Sequence, residues 1–280
     1  MKTAPFYKYH GLGNDFVIVD EADWPQAPRW VEALCDRNRG VGADGLLFLR
    51  QSADAAAHIQ MVIYNRDGSR SEMCGNGVRC VVRHLVEARG VEGDSIVVAT
   101  DVGARHCRVV ERGLGSWRVE VEMGRADIES GALPVEIGSF AADLIKISMG
   151  NPHAIAFASP GIDTIDRVGI ELNADHPSFA EGVNVEFVEQ DGPQRLRVVV
   201  YERGVGRTMA CGTGACAAAV AAIETGRCGA DQPVEVELPG GVLQIELRDE
   251  HVYMTGPADF VFDGTLSADW FAASRATDLD

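Results

Sequence analysis

The sequence predicts two similar halves, each a shell of β-strands around one central helix, and three observations predict it. First, a cysteine signature is written twice, as Tyr64-Asn65-Arg66-Asp67-Gly68 to Met73-Cys74-Gly75-Asn76-Gly77 and as Tyr201-Glu202-Arg203-Gly204 to Ala210-Cys211-Gly212-Thr213-Gly214. Second, the interval from Cys74 to Cys211 carries other segments onto one another: Gly13-Asn14 onto Gly150-Asn151, Gly45 and its LLFL run onto Gly182 and VNVE, and the bend at Gly103 onto Gly240. Third, a helical pattern follows each cysteine while most other apolar runs read as strands. A repeat this long is a duplicated domain, not a solenoid.

In the first half, FVIVD, LLFLR, IQMVIYN and SIVVAT are rich in β-branched and large apolar residues and are bounded by Gly, Asn and Asp, as strands are. After Cys74, apolar residues recur at Val78, Val81, Val82, Leu85 and Val86, one face of a helix that closes near Gly90. WRVEVEM and LIKISM then lead through VNVEFVE and LRVVVYER to the second cysteine, and VEVELP and LQIEL follow it as further strands. Almost every residue from 215 to 223 is apolar, so the second helix is expected to be buried on all sides.

Composition agrees. A length of 280 residues suits about two domains, and 46% hydrophobic with 24% charged residues gives each half a core and excludes a disordered chain. The net charge of −17 argues against nucleic acid or an anionic membrane as partner. Met1-Lys2-Thr3-Ala4-Pro5 lacks the basic start and apolar run of a signal peptide, and no stretch reaches the roughly 20 apolar residues of a membrane span, so a cytoplasmic protein is expected. Seven cysteines, an odd number, point to free thiols in a reducing compartment. Cys74 with Cys80 and Cys211 with Cys216 are close in sequence, yet no histidine cluster completes a zinc site, and no metal is expected. Cys80 and Cys216 read as small buried helix residues, and Cys35, Cys107 and Cys228 as structural.

Position gives Cys74 and Cys211 their chemistry. Each opens a helix, where unpaired N–H groups and the dipole favour anions, and each is followed by Gly-x-Gly, which lets a ligand approach the backbone. Such a place is expected to lower a thiol pKa from about 8.5 and to cradle a substrate carboxylate. Two such thiols suit acid and base chemistry on opposite faces of one carbon.

The stretches HGLGNDF, GVGADG, YNRDGS with MCGNGVRC, MGNPH, GVNVEF, YERGVG with ACGTGACAA, LPGG and MTGPA resemble diaminopimelate epimerase, a cofactor-independent two-cysteine enzyme family of lysine and peptidoglycan synthesis. The resemblance runs from about residue 6 to 264. It implies an α+β fold of two pseudo-symmetric domains, each a strand barrel around a central helix, with the active site in the cleft between them. The N-terminal domain is expected at 1–116 plus 260–280, carrying Cys74, and the C-terminal domain at 117–259, carrying Cys211. Ala272 to Asp280 read as a polar tail without function. The resemblance also implies an amino-acid substrate and a homodimer.

By the same resemblance, one cysteine thiolate takes the Cα proton of LL-diaminopimelate while the other thiol delivers a proton to the opposite face, Cys74 donating and Cys211 accepting. Gly75-Asn76 and Gly212-Thr213 are the expected backbone donors. Asn14, Asn65, Asn151 and Asn184 match the substrate-binding amides, which serve both ammonium and carboxylate. Glu202 and Arg203 supply a carboxylate and a guanidinium, and His153 matches a histidine that tunes the cysteine pair. Two departures stand out: Gly45 replaces a glutamine found in some members, and Arg207 replaces a glutamate found in many. Other readings remain open: a same-fold racemase of another amino acid such as histidine, or a redox protein cycling Cys74 and Cys211. A pyridoxal-phosphate racemase needs a Schiff-base lysine, and Lys2, Lys8 and Lys146 lack a phosphate-binding context.

Overall fold

Alternating and fully apolar runs fold into a strand shell twice over. The computed structural model describes residues 3–174 and 176–275; Lys2 and the end of the expected tail lie outside them. The chain forms two compact units, one comprising everything up to Val121 and from Pro257 onward, the other Glu122–Gly256.

The first unit runs β1 (Ala4–Gly11), β2 (Asn14–Asp20), α1 (Val31–Cys35), β3 (Gly45–Arg50), β4 (Ile59–Asn65), β5 (Arg70–Ser71), α2 (Gly75–Glu87), β6 (Ser95–Thr100), β7 (Gly103–Arg112) and the start of β8 (Ser116–Arg125). β1 and β2 pair antiparallel, β2 and β3 parallel, β3 and β4 antiparallel, β4 and β6 parallel, and β6, β7 and β8 antiparallel. The second unit runs β9 (Asp127–Ile128), β10 (Leu133–Ile137), β11 (Phe140–Ser148), β12 (Pro152–Ala156), α3 (Ile162–Asn173), β13 (Asn184–Gln190), β14 (Arg195–Glu202), β15 (Gly206–Arg207), α4 (Gly212–Glu224), β16 (Val234–Leu238), β17 (Gly241–Arg248) and the start of β18 (His251–Leu266). Its pairings repeat the first: β11 and β12 antiparallel, β12 and β13 parallel, β13 and β14 antiparallel, β14 and β16 parallel, and β16, β17 and β18 antiparallel. The later part of β18 returns to pair with β1, from Ala4 opposite Leu266 to His10 opposite Asp259. The fold is α+β and pseudo-symmetric.

The registers correct two sequence alignments. Gly45 faces Phe16 across the parallel pair as Asn184 faces His153, so Gly45 corresponds to Asn184, not to Gly182. Gly103 closes the β6–β7 turn opposite Thr100 as Gly241 closes the β16–β17 turn opposite Leu238, so Gly103 corresponds to Gly241, not to Gly240.

Each helix sits inside its strands. α4 touches β11, β12, β13, β14, β16 and β17 and is buried from Gly214 through Ala222, as its composition requires. α2 departs from its one-sided pattern, because it is buried all round from Gly75 to Leu85. Its arginines are satisfied inside: Arg79 Nε donates to Pro257 O at 3.0 Å, and Arg83 donates to Ala258 O at 2.9 Å and to Glu87. His84 lies edge-on to Tyr7 and Tyr9.

Three helices escaped the sequence reading, the short α1, α3 and α5 (Ala268–Arg275). α3 buries Ile165, Val168, Gly169 and Leu172, a helical face, against the Tyr201 ring. α5 closes an aromatic cluster, with Phe271 edge-on to Trp24 and Trp30 at ring separations of 5.2 and 5.5 Å. Residues 272–275 are therefore helix, not tail.

Candidate active site

The cysteines cap their helices in the same way. Cys74 has φ −144° and ψ 110°, Cys211 φ −115° and ψ 110°, and each sulfur accepts from the backbone N–H three residues on, Gly77 at 3.5 Å and Gly214 at 3.4 Å. The sulfur thus takes the place of a serine or aspartate cap oxygen on an orphan N–H.

Around Cys74, side chains are fixed in a directed chain. Arg79 Nη2 donates to Asn76 Oδ1 at 2.7 Å, which turns Asn76 Nδ2 toward Asn14 Oδ1 at 3.2 Å. Asp44 accepts from Asn14 Nδ2 at 3.0 Å, so the Asn14 oxygen also faces the Cys74 thiol, which donates to it at 3.7 Å. Arg37 ties Asp44 to Asp15. Burial opposes the charge of Asp15, but bonds from Arg37 and Lys8 outweigh it and hold the carboxyl down at about 2. Asn65, exposed at the end of β4, donates instead to Ser69 Oγ at 3.0 Å. A Cβ on Gly45 would lie 2.6 Å from Tyr64 O, so this strand leaves no room for a side chain there.

Around Cys211 the arrangement is deeper. Its sulfur lies 3.5 Å from Thr213 Oγ1, which accepts from Asn151 Nδ2 at 3.3 Å. Asn151 Oδ1 faces His153 Nε2 at 3.0 Å, and His153 Nδ1 meets Glu186 Oε1 at 2.7 Å. Asn184 bridges strand and turn, donating to Pro152 O at 3.1 Å and accepting from Arg203 N at 3.0 Å. Arg203 Nη1 reaches Glu181 O, and Glu202 accepts from Thr208. Arg207 is paired with Asp166 at 2.7 Å, so its charge is offset locally.

The expected lowering of the thiol pKa fails for Cys211. Burial first, then the carboxylates of Glu202 and Glu186, push its thiol well above the usual range, against the bonds from Thr213 and Gly214. Donors at the helix terminus favour the thiolate, but desolvation penalises the charged form and outweighs them here. Burial likewise raises Glu202, with Thr208 opposing. Gly75 and Gly212 are buried first residues of their helices. Sequence reasoning missed Asp44, Arg79 and Glu186. All three lie within the matched stretches GVGADG, MCGNGVRC and GVNVEF, but no local pattern marks that their side chains turn toward the cysteines.

Among the described residues no group of three or more His, Cys, Asp or Glu is arranged to hold a metal ion, and no helix is long and apolar enough to cross a membrane.

A family model described as diaminopimelate epimerase matches residues 6–129 and 145–261. The chain is 42% identical to the diaminopimelate epimerase of Synechococcus elongatus, over 94% of this chain and 98% of that one. It is 39% identical to the chloroplastic diaminopimelate epimerase of Oryza sativa subsp. japonica, over 94% and 80%. Among solved structures, a probable proline racemase from Agrobacterium radiobacter superposes with a TM-score of 0.73 at 15% identity over 96% of this chain and 94% of that one. A hydroxyproline epimerase from Agrobacterium vitis gives 0.72 at 16% over 95% and 93%. These two likenesses concern the fold alone.

Proposed function

The chain belongs to the diaminopimelate epimerase family, and on that premise we propose that it interconverts LL- and meso-diaminopimelate by proton transfer between two cysteines, in the supply of lysine and peptidoglycan precursors. The observation that carries this reading is how the two thiols differ beyond the helix N–H that each sulfur accepts. Cys74 donates to a carbonyl oxygen, that of Asn14, which suits a protonated thiol. Cys211 has the Thr213 hydroxyl beside its helix N–H, a further donor for the thiolate once a substrate ammonium offsets the neighbouring Glu202. In the LL-to-meso direction Cys211 therefore takes the Cα proton and Cys74 delivers one to the other face. In reverse the roles exchange.

A thiolate is far too weak a base for a Cα–H in water, so the developing carbanion must be stabilised electrostatically. The N–H groups of Gly75-Asn76 and Gly212-Thr213 serve the α-carboxylate at the positive ends of α2 and α4. Glu202 receives the ammonium and Arg203 a carboxylate, while Asn14, Asn65, Asn151 and Asn184 hold the remaining polar groups and His153 orients Asn151. An ammonium beside Glu202 offsets that carboxylate, one of the groups holding the Cys211 thiol up, so substrate binding itself favours the thiolate.

The test is turnover of LL-diaminopimelate without added cofactor under reducing conditions, beside a panel that includes L-histidine. Turnover of diaminopimelate alone is expected. Turnover of histidine alone, or thiol–disulfide exchange without any epimerisation, would overturn the reading.

A further inference from the structure

Glu186 is wholly buried, and one of its oxygens, Oε2, has no hydrogen-bond partner. A buried carboxylate left half-satisfied is costly and calls for a role. Its other oxygen begins a chain that ends at a thiol: Glu186 Oε1 to His153 Nδ1 at 2.7 Å, His153 Nε2 to Asn151 Oδ1 at 3.0 Å, Asn151 Nδ2 to Thr213 Oγ1 at 3.3 Å, Thr213 Oγ1 to Cys211 Sγ at 3.5 Å.

Building on the epimerase reading, we propose that Glu186 is a positioning residue for Cys211, setting the direction of this hydrogen-bond chain so that the Thr213 hydroxyl donates to the sulfur.

The proton count fixes the direction. Asn151 Oδ1 can only accept, so His153 Nε2 must carry a hydrogen. A single proton then lies between Nδ1 and Glu186 Oε1, whichever atom holds it, and the His153–Glu186 pair is neutral in both forms. With Nε2–H donating to Asn151, the amide nitrogen donates to Thr213, and the hydroxyl hydrogen is left for Cys211. Without the carboxylate, the imidazole is free to place its hydrogen on Nδ1, and Asn151 loses its donor. The Glu186 carboxylate by itself holds the Cys211 thiol up, but the proton it shares with His153 offsets that charge, so what Glu186→Leu removes is direction more than charge.

The other unit supplies the contrast. By strand register Phe16 holds the place of His153, and Leu47 that of Glu186. A Cβ on Gly77 would meet Leu47, as one on Gly214 would meet Glu186. Cys74 therefore has an apolar pair where Cys211 has an ionisable one, and the device serves one thiol only.

The test compares Glu186→Gln, Glu186→Leu, Thr213→Val and the Glu186→Leu/Thr213→Val double variant in two assays. In steady-state turnover, Glu186→Leu should lower kcat by about tenfold with KM within about twofold, the worth of one hydrogen bond to a charged group. Glu186→Gln, whose amide can donate to Nδ1 and keep the hydrogen on Nε2, should restore kcat to within about threefold of the parent. Thr213→Val should match Glu186→Leu, and the double variant should lose no more. In the second assay, iodoacetamide labelling is followed peptide by peptide. The pH midpoint for Cys211 should rise by about one unit in Glu186→Leu while that for Cys74 stays put. This arm needs no substrate, so it stands even if the epimerase reading falls. Additive losses, a Gln variant as impaired as the Leu one, or equal shifts at both cysteines would overturn the proposal.

Discussion

Asn14 and Asn151 hold corresponding places in the two units with their amides turned opposite ways: the Asn14 oxygen faces the Cys74 thiol at 3.7 Å, and the Asn151 nitrogen faces Thr213 beside Cys211 at 3.3 Å. Each orientation is set from behind, by Asp44 for Asn14 and by His153 for Asn151. Both sulfurs accept from a helix N–H, and the duplicated scaffold adds an amide oxygen beside Cys74 and a hydroxyl beside Cys211.

Asp44 is the first place to test this. Asp44→Ala removes the acceptor that holds Asn14 Nδ2 away from Cys74. We expect kcat to fall by about tenfold, the worth of one misplaced hydrogen bond, with little change in Tm because Asp44 is 40% exposed. Unchanged turnover would show that Asn14 holds its orientation without it.

The second glycine of each Gly-x-Gly should differ in tolerance. A Cβ on Gly214 would lie 2.6 Å from Glu186 Oε1, which His153 locks in place, whereas one on Gly77 would lie 3.1 Å from the free end of Leu47. Gly214→Ala should cost about 2 kcal/mol or more in denaturant unfolding, and Gly77→Ala less than about 1. The reverse order would contradict the packing.

The buried thiols give the protein an alkaline limit. Burial pushes Cys35 and Cys80 up to about 12, while an unfolded thiol titrates near 8.5. As pH rises the unfolded chain loses its protons first, so stability present below about pH 8.5 is lost progressively toward about 12. Tm should drop between about pH 8 and pH 10.5, and drop less in Cys80→Ala. An equal drop in the variant would assign the loss to other groups.

Phe271 tests the end of the chain. Its ring packs on Trp24 and Trp30, and Phe271→Ala should cost about 3 kcal/mol in unfolding free energy. A loss under about 0.5 kcal/mol would mean that α5 adds little to the cluster.

What was legible in the sequence follows from local physics. The two capped helices, the strand runs and the all-round burial of α4 were visible because spacing and composition encode them. The burial of α2 was not, because Arg79 and Arg83 are satisfied by the carbonyls of Pro257 and Ala258, far away in the chain. Glu186 escaped because β13 is buried on both faces through Val188, so alternation says nothing about which way a residue points. The raised Cys211 thiol was also hidden, since helix position is local and desolvation is tertiary.

The central claim is that two different thiols act on one carbon. The most direct measurement is to start from LL-diaminopimelate in deuterated water and follow deuterium at Cα in both isomers at early times. The account predicts that newly formed meso product carries deuterium from Cys74 while recovered LL substrate stays protiated, because Cys211 returns the proton it took. Deuterium appearing in the LL pool as fast as in the meso product would mean a single exchanging base and would contradict it.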